Sequence, residues 1–183
     1  MSSPVVLVLA SGRGERFKAS GGEGSKLHAL LAGKRVIDWT LEAVKASGLR
    51  WHVEDAGHEG LGDSIAAAVR ATPDATGWLV LPADLPLIQP ATLVAVAESL
   101  ERHDVVVAHH RGQKGHPVGF DHVCESALRN LGGPNGASSV VRAEAAVGGV
   151  YDLDLDDEGI VADIDTLADL RAAERMIAAR QSS

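Results

Sequence analysis

Val5-Val6-Leu7-Val8-Leu9-Ala10-Ser11-Gly12-Arg13-Gly14-Glu15-Arg16, followed after a loose loop by Lys26, is the stretch whose reading decides the fold. A valine-rich run of strand length predicts a β-strand buried on both faces. Ser11, Gly12 and Gly14 carry little or no side chain, so main-chain N–H groups there can come close to a ligand and converge on anionic oxygens. Arg13, Arg16 and Lys26 put cations beside that turn. Together these describe a phosphate-binding loop at the carboxyl end of a strand, where open α/β sheets bind ligands. The competing reading is a glycine-rich surface turn with solvated arginines.

Known phosphate motifs narrow the choice. A dinucleotide fingerprint needs glycine three positions after Gly14, where this chain has Phe17. A P-loop needs Gly-Lys followed by Ser or Thr, and neither Gly33-Lys34-Arg35 nor Gly24-Ser25-Lys26-Leu27 provides it. The spacing Leu9-Ala10-x-Gly12-x-Gly14-x-Arg16, then Lys26, resembles the signature of nucleotidyltransferases, which join a nucleoside triphosphate to a phosphorylated partner.

Composition sets the bounds. At 183 residues, 45% hydrophobic and 23% charged, the chain is expected to form one domain over residues 1–183 with loose termini. No apolar run of about 18 residues and no basic-then-apolar leader is present, so neither membrane insertion nor secretion is expected, and the reading is cytoplasmic. A net charge of -8 opposes nucleic-acid binding, and 3% aromatics leaves almost no stacking platform for bases. The single Cys124 can begin neither an internal disulfide nor a thiolate zinc cluster, and reads as packing.

Beyond the first strand, Val36 to Val44 has helical spacing with Gly48 placed to stop it, and Trp51-His52-Val53 is a short strand. Leu61 to Val69 reads as a glycine-led helix. Trp78-Leu79-Val80-Leu81 is a second buried strand running into Pro82-Ala83-Asp84-Leu85-Pro86. Pro90 opens the next helix. Asp104 to Ala108 is a strand, His109 to Gly115 a polar loop with solvated histidines, and His116 to Phe120 an edge strand because Pro117 cannot donate to a ladder. Asp121 caps a helix, Val150 to Leu155 alternates like a half-buried strand, and Thr166-Leu167-Ala168-Asp169 is a capping box opening the last helix. Strands alternating with helices imply a mainly parallel, Rossmann-like α/β sheet with helices on both faces.

Five segments in order extend the likeness: the first loop, Gly60-Leu61-Gly62-Asp63-Ser64-Ile65, Leu81-Pro82-Ala83-Asp84-Leu85-Pro86-Leu87, Gly115-His116-Pro117-Val118 and Asp163-Ile164-Asp165-Thr166. On these the chain is similar to the molybdenum cofactor nucleotidyltransferases, most of all their cytidylyltransferase branch. That resemblance implies that Leu9, Ala10, Ser11, Gly12, Arg13 and Gly14 hold the nucleotide, joined by Ser64, Pro82 and Ala83. It places Asp84 on a magnesium-binding aspartate, with Asp165 or Asp163 as the second ligand. Arg16, Lys26 and Asp84 become the catalytic set, and His116 and Asn135 the acceptor side. The implied cofactor is Mg²⁺, and the implied partners are a nucleoside triphosphate, molybdopterin or another phosphorylated small molecule, and in passing a molybdoenzyme. For Asp163 and Asp165, helix capping is the structural alternative.

Three departures from the family pattern stand out. Ser11 occupies a position where the family has Ala or Gly, so cytidine and guanosine both stay open. The segment between Gly48 and Gly60 is short enough to suggest that one sheet edge is rebuilt. Gly133-Pro134-Asn135-Gly136-Ala137-Ser138 lacks the acid and the arginine of the family's acceptor segment. A guanylyltransferase, a transferase for another phosphorylated molecule, and a non-catalytic nucleotide or cofactor carrier are the rival expectations.

Overall fold

The computed structural model describes residues 3–182; the expectation of loose termini falls partly on residues 1, 2 and 183, which lie outside the described residues. In chain order the elements are β1 (Val5–Leu9), α1 (Glu15–Ala19), β2 (Leu30–Leu31), β3 (Lys34–Arg35), α2 (Val36–Ala46), β4 (Arg50–Glu54), α3 (Leu61–Ala71) and β5 (Gly77–Pro82). They continue with α4 (Pro90–Ser99), β6 (Val105–His110), β7 (Gln113–Asp121), α5 (Glu125–Arg129), α6 (Ser138–Ala146), β8 (Val150–Asp154) and α7 (Leu167–Gln181). The main sheet has six strands in the order β4-β1-β5-β7-β6-β8, while β2 and β3 form a small separate ladder. The pairings β1–β4, β1–β5 and β6–β8 are parallel, and β7 runs against both of its neighbours.

Strand periodicity divides the core into two layers. Val6, Val8, Leu79, Leu81 and Val106 pack against Val36 and Val44 of α2, Leu93 and Val96 of α4, and Ala173 and Ile177 of α7. Val5, Leu7, Trp78, Val80 and Val105 face the other way, onto Ile65 and Val69 of α3, Leu128 of α5 and Val140 of α6. A strand covered on both faces must be apolar at every position, which is why β1 reads as an unbroken apolar run. The fold is thus an α/β layer structure with a mostly parallel sheet flanked by helices.

Local signals act where the sequence puts them. Pro90 occupies the first turn of α4, and Gly48 follows α2 at φ 73°. At α7 the Asp169 N–H donates to Thr166 Oγ1 at 3.2 Å while the Thr166 N–H donates to Asp169 Oδ2 at 2.7 Å. Asp121 takes the Val123 N–H at 3.1 Å, capping the 3-10 turn His122–Cys124 that leads into α5. Cys124 is buried, and that burial, reinforced by the charges of Glu144, Asp104 and Asp121, pushes its thiol up to about 12.

Three expectations need correction. The loop expected from His109 to Gly115 is a tight hairpin: β6 runs to His110, β7 starts at Gln113, and Arg111 and Gly112 turn the chain at φ 49° and 79°. His110 is therefore buried, with Nδ1 2.9 Å from the Leu155 carbonyl, and is not solvated. The strand carrying Pro117 is interior, between β5 and β6. Its missing N–H is tolerated because the β5 ladder ends at Val80↔Val118 and the β6 register shifts between Val107 and His109. At the opposite side the short Gly48–Gly60 segment leaves β4 as the sheet edge, leading directly into α3. No helix among the described residues is long and apolar enough to cross a membrane.

Candidate active site

β1 and β5 are parallel neighbours in register at Leu9↔Pro82, so both carboxyl ends open on one rim of the sheet. The chain after β5 is held there by its main chain. Ala83 N–H donates to the Leu9 carbonyl at 3.0 Å, and the Ala83 carbonyl accepts from Thr40 Oγ1 at 2.8 Å. Asp84 follows, and its own carbonyl accepts from Ile164 N–H at 3.0 Å. That bond draws the Asp163-Ile164-Asp165 segment, distant in sequence, against the end of β5.

The resulting cluster is compact. Asp84, Asp163 and Asp165 each present a carboxylate oxygen within 4.8 Å of the others. Lys26 Nζ lies among them, 2.6 Å from Asp84 Oδ2 and 2.9 Å from Asp165 Oδ1, and Arg16 reaches Asp165 Oδ2 at 3.0 Å. Burial pulls the Lys26 ammonium down, but the charge of Asp84 and the hydrogen bonds to Asp84 and Asp165 outweigh it and hold it above its usual value. Burial likewise disfavours the Asp165 anion, yet hydrogen bonds from Lys26 and Asp163 keep it below the usual carboxylate range. Asp163 has no cation of its own; burial, then the hydrogen bond and charge of Asp165 and the charge of Asp84, push it up to about 6.

Whether a divalent cation suits this cluster is answered by Asp84 itself. Its Oδ1 is buried with no hydrogen-bond partner among the described residues, although Oδ2 is held by Lys26. A buried carboxylate oxygen left unpaired costs free energy, and a bound cation would remove that cost. The donors are all oxygen, which suits Mg²⁺ or Mn²⁺ and does not suit a soft metal.

Two cavities flank the cluster. The first, about 310 Å³, is lined by Leu9, Ser11, Gly12, Arg13, Lys26, Ser64, Pro82, Ala83 and Asp84, with Gly60 and Leu61 at the head of α3. Gly12 has open space where a Cβ would stand, and Gly14 adopts φ 62° at the start of α1. The second, about 330 Å³, lies across Lys26 and Asp84 and is lined by Arg16, His116, Asp163 and Asp165. His116 is largely buried; desolvation lowers its basicity, partly opposed by Asp84, and its Nδ1 has no partner among the described residues.

Three sequence-derived residues stand apart from these cavities, Gly14 lining only the groove it shares with Gly12, Arg16 and Asp165. Ala10 lines neither; its N–H donates to the Glu54 carbonyl at 2.9 Å, tying the loop to β4. Asn135 is exposed on the loop beside α3 and lines neither cavity. There the Gly62 N–H donates to the Gly133 carbonyl at 2.8 Å, and the Gly133 N–H donates to Asp63 Oδ2 at 3.0 Å. A Cβ on Gly62 would stand 2.8 Å from the Gly132 carbonyl, so this glycine at the head of α3 answers to the crossing loop. The backbone crossing, not a ligand, requires it.

Other residues were not read from the sequence. Gln113 and Lys114 line the second cavity because the hairpin lifts them onto its wall. His58 lines the first, and the buried Glu54 at the end of β4 sits behind it. An acid closing a strand, as at Asp84, was the available signal for Glu54.

Comparisons with known proteins give the family and the fold. Residues 40–147, more than half of the chain, match the family described as MobA-like NTP transferase domain. Similar solved structures include Rv0371c from Mycobacterium tuberculosis H37Rv, 21% identical, TM-score 0.76, covering 95% of this chain and 98% of that one. The same protein has also been solved in complex with manganese. A nucleotidyl transferase from Methanothermobacter is 22% identical, TM-score 0.75, covering 98% of this chain and 100% of its own. Molybdopterin-guanine dinucleotide biosynthesis protein A from Archaeoglobus fulgidus is 21% identical, TM-score 0.66, covering 95% and 98%. No curated protein matches the sequence. The fold and its rim of carboxylates and glycine loop define a nucleotidyltransferase. The chain belongs to the MobA-like NTP transferase family.

Proposed function

We propose that this enzyme transfers CMP from CTP to a phosphorylated acceptor, molybdopterin, and releases pyrophosphate. The observation that carries the reading is Asp84, whose buried and unpaired Oδ1 stands between two cavities of 310 and 330 Å³. One cavity takes the nucleotide at the glycine loop, and the other takes the acceptor.

The reaction forms a bond from an acceptor phosphate oxygen to the α-phosphorus and breaks the bond from that phosphorus to pyrophosphate. A phosphate monoester, with second pKa about 6, is largely dianionic at neutral pH, so the attacking oxygen needs no strong base. The residues must instead bring anions together and offset charge on the leaving group. Arg13 and the main chain of Gly12 line the phosphate end of the nucleotide cavity. Arg16 and Lys26 line both the wall near the glycine loop and the acceptor cavity, so their charge falls where the two anions meet. Asp84 and Asp165, with Asp163 as the further candidate, would hold the divalent cation, read as Mg²⁺. Bound there, the cation would neutralise triphosphate charge. On the acceptor side we assign Lys114 and His116 to the acceptor's anionic and polar groups.

The cytidine choice is supported by the likeness of Asp84-Leu85-Pro86-Leu87 and Gly115-His116-Pro117-Val118 to the cytidylyltransferase branch. Guanosine is the second reading, favoured by the Archaeoglobus neighbour's name. Incubating the four nucleoside triphosphates with molybdopterin and Mg²⁺ and measuring pyrophosphate tests both. CTP is expected to give the fastest release. GTP in first place would move the assignment to a guanylyltransferase, and no release with any triphosphate would refute molybdopterin as acceptor.

A further inference from the structure

Glu54 ends the edge strand β4, yet its side chain is only 10% exposed. A carboxylate withdrawn from water must find partners. Its Oε1 accepts the Ala56 N–H at 3.1 Å and lies 3.2 Å from His58 Nε2, while Oε2 faces His52 Nε2 at 3.6 Å. Glu54 thereby fixes the His58 ring. In the tautomer that donates Nε2–H to the carboxylate, the ring's lone pair lies on Nδ1, which has no protein partner among the described residues.

That ring lines the nucleotide cavity. The hydroxyl and ammonium donors there are already committed: Ser11 Oγ donates to the Glu54 carbonyl at 3.4 Å, Ser64 Oγ to the Gly60 carbonyl at 3.3 Å, and Lys26 to two carboxylates, while Arg13 is assigned to the phosphates. His58, on the wall of this cavity and not of the one lined by all three aspartates, is left with Nδ1 as an uncommitted acceptor. An acceptor pairs with an exocyclic amine and repels a carbonyl oxygen. Cytosine carries an amine where uracil carries an oxygen.

Resting on the nucleotide-site reading above, we propose that His58, positioned by Glu54, is the residue that selects CTP over UTP. His58 touches the base, and Glu54 acts through His58 as a positioning residue.

The test is equilibrium binding of CTP and UTP with Mn²⁺ to the full-length protein and to His58→Ala, His58→Gln, Glu54→Gln and His52→Gln. Wild type is expected to prefer CTP by about tenfold or more. His58→Ala is expected to bring the ratio near one. His58→Gln, whose amide turns either its oxygen or its nitrogen to the base, is expected to keep affinity for both triphosphates while losing the preference. Glu54→Gln should shrink the ratio without abolishing binding, and His52→Gln, off the cavity wall, should leave it unchanged. A ratio preserved in both His58 variants overturns the proposal while leaving the nucleotide site intact. A ratio lost equally in His52→Gln also overturns it, because the cluster would then act only as structure. Wild type binding neither triphosphate overturns the nucleotide-site reading and this proposal with it.

Discussion

β5 runs out into Asp84 and β4 closes on Glu54, two buried carboxylates on one rim of one sheet, separated by β1. They differ in what is left over after their partners are counted. Glu54 has a main-chain N–H and a histidine on Oε1 and a second histidine facing Oε2. Asp84 has Lys26 on Oδ2 and, among the described residues, no partner on Oδ1. A carboxylate held by a main-chain N–H and flanked by two histidines holds side chains still, whereas one with a buried unpartnered oxygen in a cluster of acids is set up to take a cation from solution. Function diverges from that single free oxygen.

The largest effect is expected from removing it. Asp84→Asn should fold yet lose turnover by about a hundredfold to a thousandfold, because an amide is a poor ligand for a hard cation and supplies no negative charge. Pyrophosphate release measured across a Mg²⁺ titration checks it. Wild-type melting temperature should rise with Mg²⁺ or Mn²⁺, as expected for any ligand that binds only the folded state, and the variant's should not. Activity within a few-fold of wild type at limiting Mg²⁺ would erase the distinction between the two carboxylates.

Lys26→Ala comes next and attacks the same end from the cation's side. Lys26 and Asp84 side chains are only 13% and 12% exposed, so deletion leaves buried negative charge uncompensated. The expected cost in chelator is about 3 kcal/mol of stability. Added divalent cation should recover part of it, since the metal then replaces the lost ammonium. Turnover is expected to fall more than nucleotide affinity, as follows if the Lys26 charge matters most while the α-phosphorus is under attack. Chemical denaturation with and without Mg²⁺, beside single-turnover kinetics, separates these parts; a loss of affinity alone would make Lys26 a ground-state binder.

The two ends also differ in how legible they were. Asp84 announced itself: an acid held between prolines after Leu79-Val80-Leu81, in a segment of familiar form. β1, the α2 stop at Gly48 and the capping box at Thr166 were legible for the same reason, since each is written in residues adjacent in sequence. Glu54 and His58 lie in a plain stretch, and their pairing emerges only when the chain turns at Gly57, φ 72°. Pro117 misled because a ladder gap depends on where two partner strands stop and slip, which no residue of β7 encodes. The purpose of Gly62 was hidden similarly, because the loop that passes over it comes from residues 132–133.

Glu54→Gln probes the closed end. The amide oxygen can keep the Ala56 N–H, but the charge facing the two histidines is gone, so a loss of about 1–3 kcal/mol is expected. The comparison gives this loss a signature: it should be the same with and without divalent cation, unlike that of Lys26→Ala. Parallel denaturation curves decide the matter. A cation-dependent loss at Glu54 would mean that metal reaches both ends of the rim.

Ser11→Gly is expected to have the smallest effect, and it tests where the two ends meet. Position 11 is where base choice between CTP and GTP is expected from the sequence, because the family pattern carries Ala or Gly there. In the structure Ser11 lines the 310 Å³ cavity, but its hydroxyl is turned toward the Glu54 carbonyl at 3.4 Å, a long contact to an oxygen that also receives the Ala10 N–H at 2.9 Å. The side chain therefore fastens the glycine loop to β4 more than it reads a base edge. Deleting it frees a little room and loosens that attachment, so the preference for CTP over GTP should fall only a few-fold, below the roughly 10–200-fold that one small pocket contact can give. The measurement is kcat/KM for both triphosphates in wild type and Ser11→Gly. A shift above about tenfold would place the hydroxyl on the base; an unchanged ratio would mean that position 11 only fastens the loop to β4 and takes no part in the choice between CTP and GTP.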